Sequence, residues 1–501
     1  MTHDLARRSL SAFLWNYAGG GGKIVAQLLI QIALARILGP AIFGQYSAVL
    51  IVLGIGWLFA DSGFGLALIQ KRKLEESDVR QALGWTLLLA SIATSVIVFL
   101  APWISEQFTD RSLIPMIRIS AGLVFLLALS NISSSLMRRE LDMKRLQIIQ
   151  IGAYLIGFGG VAMGLAMEGY GAWSLIIGFG VQTFLTLVGG YVVVQHSLRP
   201  RLSGDGKLRD FGAKVMAVNI VNWAIENLDR FLVGKFWGVQ ALGMYTVAFN
   251  LSRSPVAVMV SSFQTVAFSS VSRIQEDKER IRKGYLAILS VLAMSMFPFF
   301  AVIAYEANTV IQIVYGKTWN SAAPLLAAFA YTTPIYALGA VTGSLLCARS
   351  AVGKEFNSQL LTLCILLIGF ILLRDEPLAH AVWIVPSAYT LRYVFLVMAL
   401  RRNLEIPPHH IIRVLSGGIL IAISGIIVDM ILRSVWKHSV AWTNLIPLLG
   451  AIAATLLLIS MAGKKLIGRE LQAILESRRE ESHVIQIFCR VLGLPGGRAG
   501  Q

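Results

Sequence analysis

KFWGVQALGMYT, residues 235–246, repeats RILGPAIFGQYS, residues 36–47, at a constant offset of 199 positions. Each copy opens on a basic residue and places glycines three and eight positions later. A tyrosine follows ten positions after the basic residue, and a hydroxyl residue comes directly after it. The matched sets are Arg36, Gly39, Gly44, Tyr46 and Ser47 against Lys235, Gly238, Gly243, Tyr245 and Thr246. Glycine lets a chain turn between two helices without a Cβ clash, and tyrosine suits a boundary between lipid and water. A second echo sets LMRRELDMK (136–144) against LCARSAVGK (346–354), matching Arg139 to Arg349 and Lys144 to Lys354 at an offset of 210. An insertion of about eleven residues, placed in Glu306–Ser321, would reconcile the two offsets.

The segments around these turns are apolar. Of the 501 residues 56% are hydrophobic and 14% charged, with a mean hydropathy of +0.69, whereas a soluble chain carries about 25% charged residues. Runs long enough to cross a bilayer recur from end to end, giving fourteen candidate spans. The fold class is an all-α polytopic membrane protein of about 14 transmembrane helices, two pseudo-symmetric six-helix lobes around a central cavity plus two extra C-terminal helices. The first lobe occupies 1–194, a cytoplasmic linker 195–210 and the second lobe 211–400. Two further spans fall in 411–461 and a cytoplasmic tail in 462–501. The echoes pair span one with span seven and span four with span ten, so the halves run the same way through the membrane. Parallel repeats of this kind characterise one class of transporters, with the substrate site between the halves.

A net charge of +17 invites a nucleic-acid partner, but the charges are arranged by topology. Of 44 lysines and arginines, eight fall on one side, four lie within spans, and the remainder lie on the side of the two termini. This is the positive-inside pattern, which puts both termini in the cytoplasm and leaves no need for nucleic acid. Arg7 and Arg8 precede a first apolar run too long for a signal-peptide core, which reads as an uncleaved anchor. Cys347, Cys364 and Cys489 lack metal-ligand spacing, and no metal site is expected.

Directly before the second glycine turn, NWAIENLDRFLVGK (222–235) sets Asn222, Glu226, Asn227, Asp229 and Arg230 close together inside a span. Asn219, Asn222, Glu226 and Asp229 are spaced by three, four and three residues, so they share a helix face, and Arg230 follows Glu226 by four. A charge at mid-bilayer is costly and persists where it meets a partner or a cavity. The buried basic residues are Lys23, Arg230, Arg253 and Arg392, candidates to bind a diphosphate. Asp61, Glu226 and Asp229, with the two asparagines, are candidates for cavity polarity or for coupling to H⁺ or Na⁺; no other cofactor is expected. Two structural readings stay open. Glu226 and Arg230 can be an ion pair that pins helices, and Gly19–Gly22 beside Lys23 can serve helix packing alone.

The segments ARILGPAIFGQYS, DSGFGLALIQKRKL (61–74), SSSLMRRELDMKRL (133–146), MEGYGAWSLI (167–176) and ENLDRFLVGKFWGVQALGMYTVAFNLSRSPVAVM (226–259) resemble the polysaccharide-transporter branch of the multidrug/oligosaccharidyl-lipid/polysaccharide exporter superfamily, nearest its Wzx-type, colanic-acid-exporter-like flippases. The resemblance runs over residues 8–400. It implies alternating access around a central cavity in the bacterial inner membrane. Its implied cargo is an undecaprenyl-diphosphate-linked oligosaccharide, and a polysaccharide polymerase is the implied partner downstream. A multidrug exporter of the same superfamily and a peptidoglycan-precursor flippase are the alternatives. A membrane polymerase fits less well, because the longest outer connection, Glu306–Ser321, holds one acid and one lysine. No catalytic residue is expected.

Overall fold

Inside lipid a backbone must satisfy its own N–H and C=O groups, and long apolar runs do so as helices. The computed structural model describes residues 2–435, apart from 62, 72, 204–205, 274–276, 405 and 407, with side chains from Gly20 onward and a few further gaps that include Asp61. Every element among the described residues is helical. Ten described segments, from Gly20–Ala60 to His409–Leu432, are long and apolar enough to cross a membrane, and Gly20–Ala60 alone holds parts of two expected spans. The protein is a multi-pass, all-helical membrane protein. The expected span Leu445–Met461 and the tail 462–501 lie outside the described residues.

The chain divides into two compact units, Met1–Val247 and Ala248–Gln501. The first contains α1 (Thr2–Asp61), α2 (Phe64–Gln70), α3 (Glu76–Gln107), α4 (Leu113–Ala121), α5 (Leu123–Arg139), α6 (Met143–Tyr154), a π-helical stretch Leu155–Ala162, α7 (Met163–Met167), α8 (Ala172–Val193) and the first part of α9 (Gly206–Arg273). Here α1 packs on α3, α5 and α6, and α5 packs on α8. The second unit takes the rest of α9 with α10 (Lys278–Tyr305), α11 (Ala307–Val314), α12 (Ala323–Ala348), α13 (Val352–Leu372), α14 (Leu378–Ala381), α15 (Ile384–Leu404) and α16 (Pro408–Val435). Its core is a layered contact of α10 with α16 and α12, extended by α15, built on Leu289, Leu338, Val341 and Leu396.

The paired glycine turns are visible in the backbone. α1 bends at Gly39 (φ 75°, ψ 174°) and α9 bends at Gly238 (φ 83°, ψ 177°). Both lie in the positive-φ region that only glycine enters freely. Gly44 and Gly243 meet a different need. A Cβ on Gly44 would collide with the carbonyl oxygen of Val239, and one on Gly243 with that of Pro40, so the two turns sit reciprocally against each other. This contact attaches the start of α9 to the first unit and explains why that unit runs to Val247. The turn tyrosines do not mark a water boundary as their sequence position suggests: Tyr46 is 7% exposed and Tyr245 fully buried. Tyr46 packs edge-on to Phe158, while the Tyr245 hydroxyl donates to Asp229 Oδ2 at 2.7 Å, so each gains more inside the helix contact than at its rim.

The second echo is also present, one register off. Leu141 and Ser350 share a φ of 59°. Leu141 N–H donates to Arg138 O and Asp142 N–H to Met137 O, just as Ser350 N–H donates to Cys347 O and Ala351 N–H to Leu346 O. The offset is therefore 209, pairing Glu140 with Arg349 rather than Arg139. Basic residues at this end answer to membrane topology, so they drift in position while the turn itself keeps its backbone. The added length lies where α11 and a 3₁₀ turn (Lys317–Ala322) stand, between the end of α10 and the start of α12.

A candidate functional site in the first unit

Lys23 lies in α1 directly after its glycines, and a Cβ on Gly20, Gly21 or Gly22 would meet no described atom within 4 Å. Among the described residues nothing packs closely against these glycines. The Lys23 ammonium donates to Gln150 Oε1 of α6 at 3.0 Å, and both side chains line a cavity of about 390 Å³. Four segments wall it. α1 contributes Lys23 and, beyond its bend, Leu50, Leu53, Gly54 and Trp57; α5 contributes Asn131, Ser134 and Arg138; α6 contributes Gln150; α8 contributes Gln182, Thr183 and Thr186.

The positions on α5 and α8 recur at helical spacing, so each helix turns a polar stripe to the cavity. Adjacent arginines on α5 separate in function because successive residues point about 100° apart on a helix. Arg138 faces the cavity, whereas Arg139 donates to the carbonyl oxygens of Leu68 and Ile69 at the end of α2. The threonine hydroxyls of α8 spend their hydrogens on their own helix, Thr183 on Phe179 O and Thr186 on Gln182 O, both at 2.8 Å. Their free lone pairs accept from whatever enters. Among the described lining residues there are two cations and no carboxylate. Such a wall is suited to an anion bearing hydroxyl groups.

The other nominated residues are dispersed. On α9, Asn222 and Glu226 are exposed and Asn219 and Arg230 half-buried, while Asp229 is 6% exposed. The Asp229 carboxylate accepts from Tyr245 and from the Arg230 backbone N–H at 2.8 Å. The shared face found in the sequence thus sinks into packing as α9 nears its bend. Asp61 closes α1, and its side chain lies outside the described residues.

In the second unit Arg253 stacks on Tyr336, with its guanidinium carbon 3.4 Å from the ring centroid, and Phe249 and Tyr389 stand at 5.2 Å and 5.3 Å. One of its nitrogens, Nη2, is buried without a hydrogen-bond partner among the described residues. Arg392 reaches across to α13, where Nη2 meets Glu355 Oε1 at 2.6 Å. Sequence reasoning missed Arg138, Gln150, Gln182 and Glu355. The i, i+3, i+7 series Asn131, Ser134, Arg138 was the available signal for the cavity.

A family model described as polysaccharide biosynthesis protein matches residues 33–324. Lipopolysaccharide biosynthesis protein WzxC of Escherichia coli (strain K12) is 24% identical over 359 residues, 71% of this chain and 73% of that protein. Teichuronic acid biosynthesis protein TuaB of Bacillus subtilis (strain 168) is 25% identical over 305 residues, 59% of this chain and 62% of that protein. The succinoglycan biosynthesis transport protein ExoT of Rhizobium meliloti (strain 1021) is 22% identical, covering 64% of this chain and 65% of its own. Among solved structures, the inward closed lipid II flippase MurJ shares the fold with a TM-score of 0.74 at 13% identity, over 91% of this chain and all of that one. An inward-facing multidrug resistance MATE transporter follows at a TM-score of 0.52 and 14% identity, over 78% of this chain and 94% of that one.

Proposed function

The chain belongs to the polysaccharide biosynthesis protein family, and from that premise we propose that it moves an anionic, lipid-linked oligosaccharide across the membrane it spans. The cargo is an undecaprenyl-diphosphate-linked repeat unit, whose polyprenyl tail stays in lipid while its headgroup crosses through protein. Transport proceeds by alternating access, coupled to H⁺ or Na⁺, in the bacterial inner membrane with both termini in the cytoplasm. A polymerase consumes the flipped units, and this chain performs no covalent chemistry on them.

The observation that carries this reading is the cavity of the first unit: Lys23 and Arg138 with amides and hydroxyls, and no carboxylate among its described lining residues. Cations on such a wall attract phosphate, Lys as a point charge and Arg as a planar fork. A cationic drug would meet repulsion there, which disfavours a multidrug exporter. The names of the relatives, which refer to lipopolysaccharide, teichuronic acid and succinoglycan biosynthesis, favour a polysaccharide repeat unit over a peptidoglycan precursor.

Deletion of the gene tests the proposal. Surface polysaccharide should fall and lipid-linked repeat units accumulate on the cytoplasmic leaflet, with rescue by the wild-type gene and not by a Lys23→Ala, Arg138→Ala variant made at normal level. Unchanged polysaccharide together with no accumulated lipid would overturn it.

A further inference from the structure

The cavity of the first unit holds more than a phosphate requires. Trp57 is 53% exposed and lines it beside the amide of Gln182 and the guanidinium of Arg138. A membrane tryptophan usually sits at the lipid–water boundary. This one lines a chamber where Leu50, Leu53 and Leu127 meet the polar groups of Lys23, Arg138, Gln150 and Gln182. One turn earlier on the same face of α1, Gly54 carries the indole of Trp223, whose Nε1 would lie 2.5 Å from a Cβ there. The backbone that bears Trp57 is thereby held against α9. Gln150 commits its Oε1 to Lys23 and keeps its amide hydrogens, and the threonines of α8 offer lone pairs.

An aromatic face with donors and acceptors at its edge matches a pyranose, which has an apolar C–H face and a rim of hydroxyls. The volume of about 390 Å³ lies near the lower end of the range of roughly 300–1,000 Å³ for small-molecule sites. It is large enough for one phosphorylated sugar.

We propose that this cavity is a sugar-phosphate subsite in which Lys23 and Arg138 hold the phosphate, Trp57 stacks on the pyranose bonded to it, and Gln150 and Gln182 meet the ring substituents. This rests on the functional reading above and narrows it. The sugar bonded to the phosphate is recognised through Trp57.

Calorimetry on the purified full chain in detergent micelles tests it, with inorganic phosphate, a hexose 1-phosphate and a methyl hexoside as probes. The hexose 1-phosphate should bind roughly tenfold tighter than inorganic phosphate, the gain expected of one stacked ring. Trp57→Leu, which keeps apolar bulk without a ring face, should reduce that ratio to near one while leaving phosphate affinity unchanged. Trp57→Phe should keep most of it. Lys23→Ala with Arg138→Ala should abolish binding of both anions.

Equal binding of phosphate and hexose 1-phosphate by the wild type, or an undiminished ratio in Trp57→Leu, would overturn the sugar subsite alone. Failure of the wild type to bind either anion would overturn the cationic cavity too, and with it the support for the proposed function. Tight binding of the methyl hexoside that survives loss of both cations would show a sugar site without a phosphate seat and would also overturn the proposal.

Discussion

The ion pair between Arg392 and Glu355 separates a structural cation from a cargo-binding one. The two side chains are 12% and 13% exposed, with Nη2 to Oε1 at 2.6 Å. Glu355 Oε1 also accepts from Gln359 Nε2 at 3.1 Å, the Ser358 hydroxyl donates to the Glu355 carbonyl oxygen at 2.7 Å, and Arg392 Nε donates to Ser358 Oγ at 3.3 Å. The carboxylate is thus the centre of a network joining α13 to α15. Breaking such a pair by removing one partner strands the other and costs about 3–5 kcal/mol. Arg392→Met and Glu355→Leu should each cost about this much.

Were they independent, the double variant would lose roughly 6–10 kcal/mol. Because neither charge remains, its loss should instead stay below about 3 kcal/mol, since apolar replacement of a buried pair is often near neutral. The assay is reversible unfolding in mixed micelles by a denaturing detergent, paired with rescue of polysaccharide export in a deletion strain. Full export by a stable double variant is the expected result. Additive losses would refute the pairing argument. A double variant that folds well and exports nothing would show that Arg392 touches the cargo.

Gly44→Ala and Gly243→Ala should each destabilise by about 1–3 kcal/mol or prevent folding, because backbone carbonyls cannot yield to the new methyl group; melting of purified protein checks this. Arg253→Lys keeps the charge but loses the planar stack on Tyr336, which should cost about 1–2 kcal/mol of unfolding free energy and reduce export. In the turn between α3 and α4, burial opposes ionisation of Asp110, but hydrogen bonds from the Ser112 hydroxyl, Gln45 and the Ser112 N–H outweigh it and hold the carboxyl below its usual range. A depressed carboxylate stabilises fully above its unfolded value of about 3.9 and loses that contribution as pH falls through the folded value. Hydrogen-exchange protection of residues 108–113 should therefore be flat from pH 5 to 8 and decline in acid, and Asp110→Asn should remove the decline.

The glycine turns were legible because each feature that builds them is a residue identity: only glycine enters the backbone of Gly39 and Gly238, and only glycine admits the contact at Gly44 and Gly243. The helical class was legible for a similar reason, since apolar length suffices to state it. Arg138 was hidden by its own plausibility. An arginine at the end of a span is what membrane topology asks for, and its sequence position cannot tell a residue facing a cavity from one that caps a neighbouring helix, as Arg139 does. Glu355 was hidden because it stands in the first turn of α13, ahead of the apolar run, while its partner sits a full connection away on α15. The polar stripe of α9 was correct in spacing. Helical spacing says which residues share a face but not where along the helix that face becomes covered, and the bend at Gly238 folds Tyr245 back onto Asp229.

Charge in a membrane span is therefore an incomplete guide to a transport site, and the four cations nominated for their cost show why. Three of the four lower that cost in different ways. Arg392 is neutralised by an acid, Arg253 lies on aromatic faces, and Lys23 meets an amide at the edge of an open cavity. An acid partner cancels the field that would draw an anion, so the Arg392 site has little attraction left for cargo. An aromatic stack leaves the charge intact and part of the guanidinium edge unfilled. An amide leaves it intact and adjacent to space. The ability to receive a phosphate thus depends on which neighbour stabilises the charge, not on the charge being buried. By that criterion Lys23, joined by Arg138 in the same cavity, leaves the most charge open to an anion, with Arg253 next and Arg392 last.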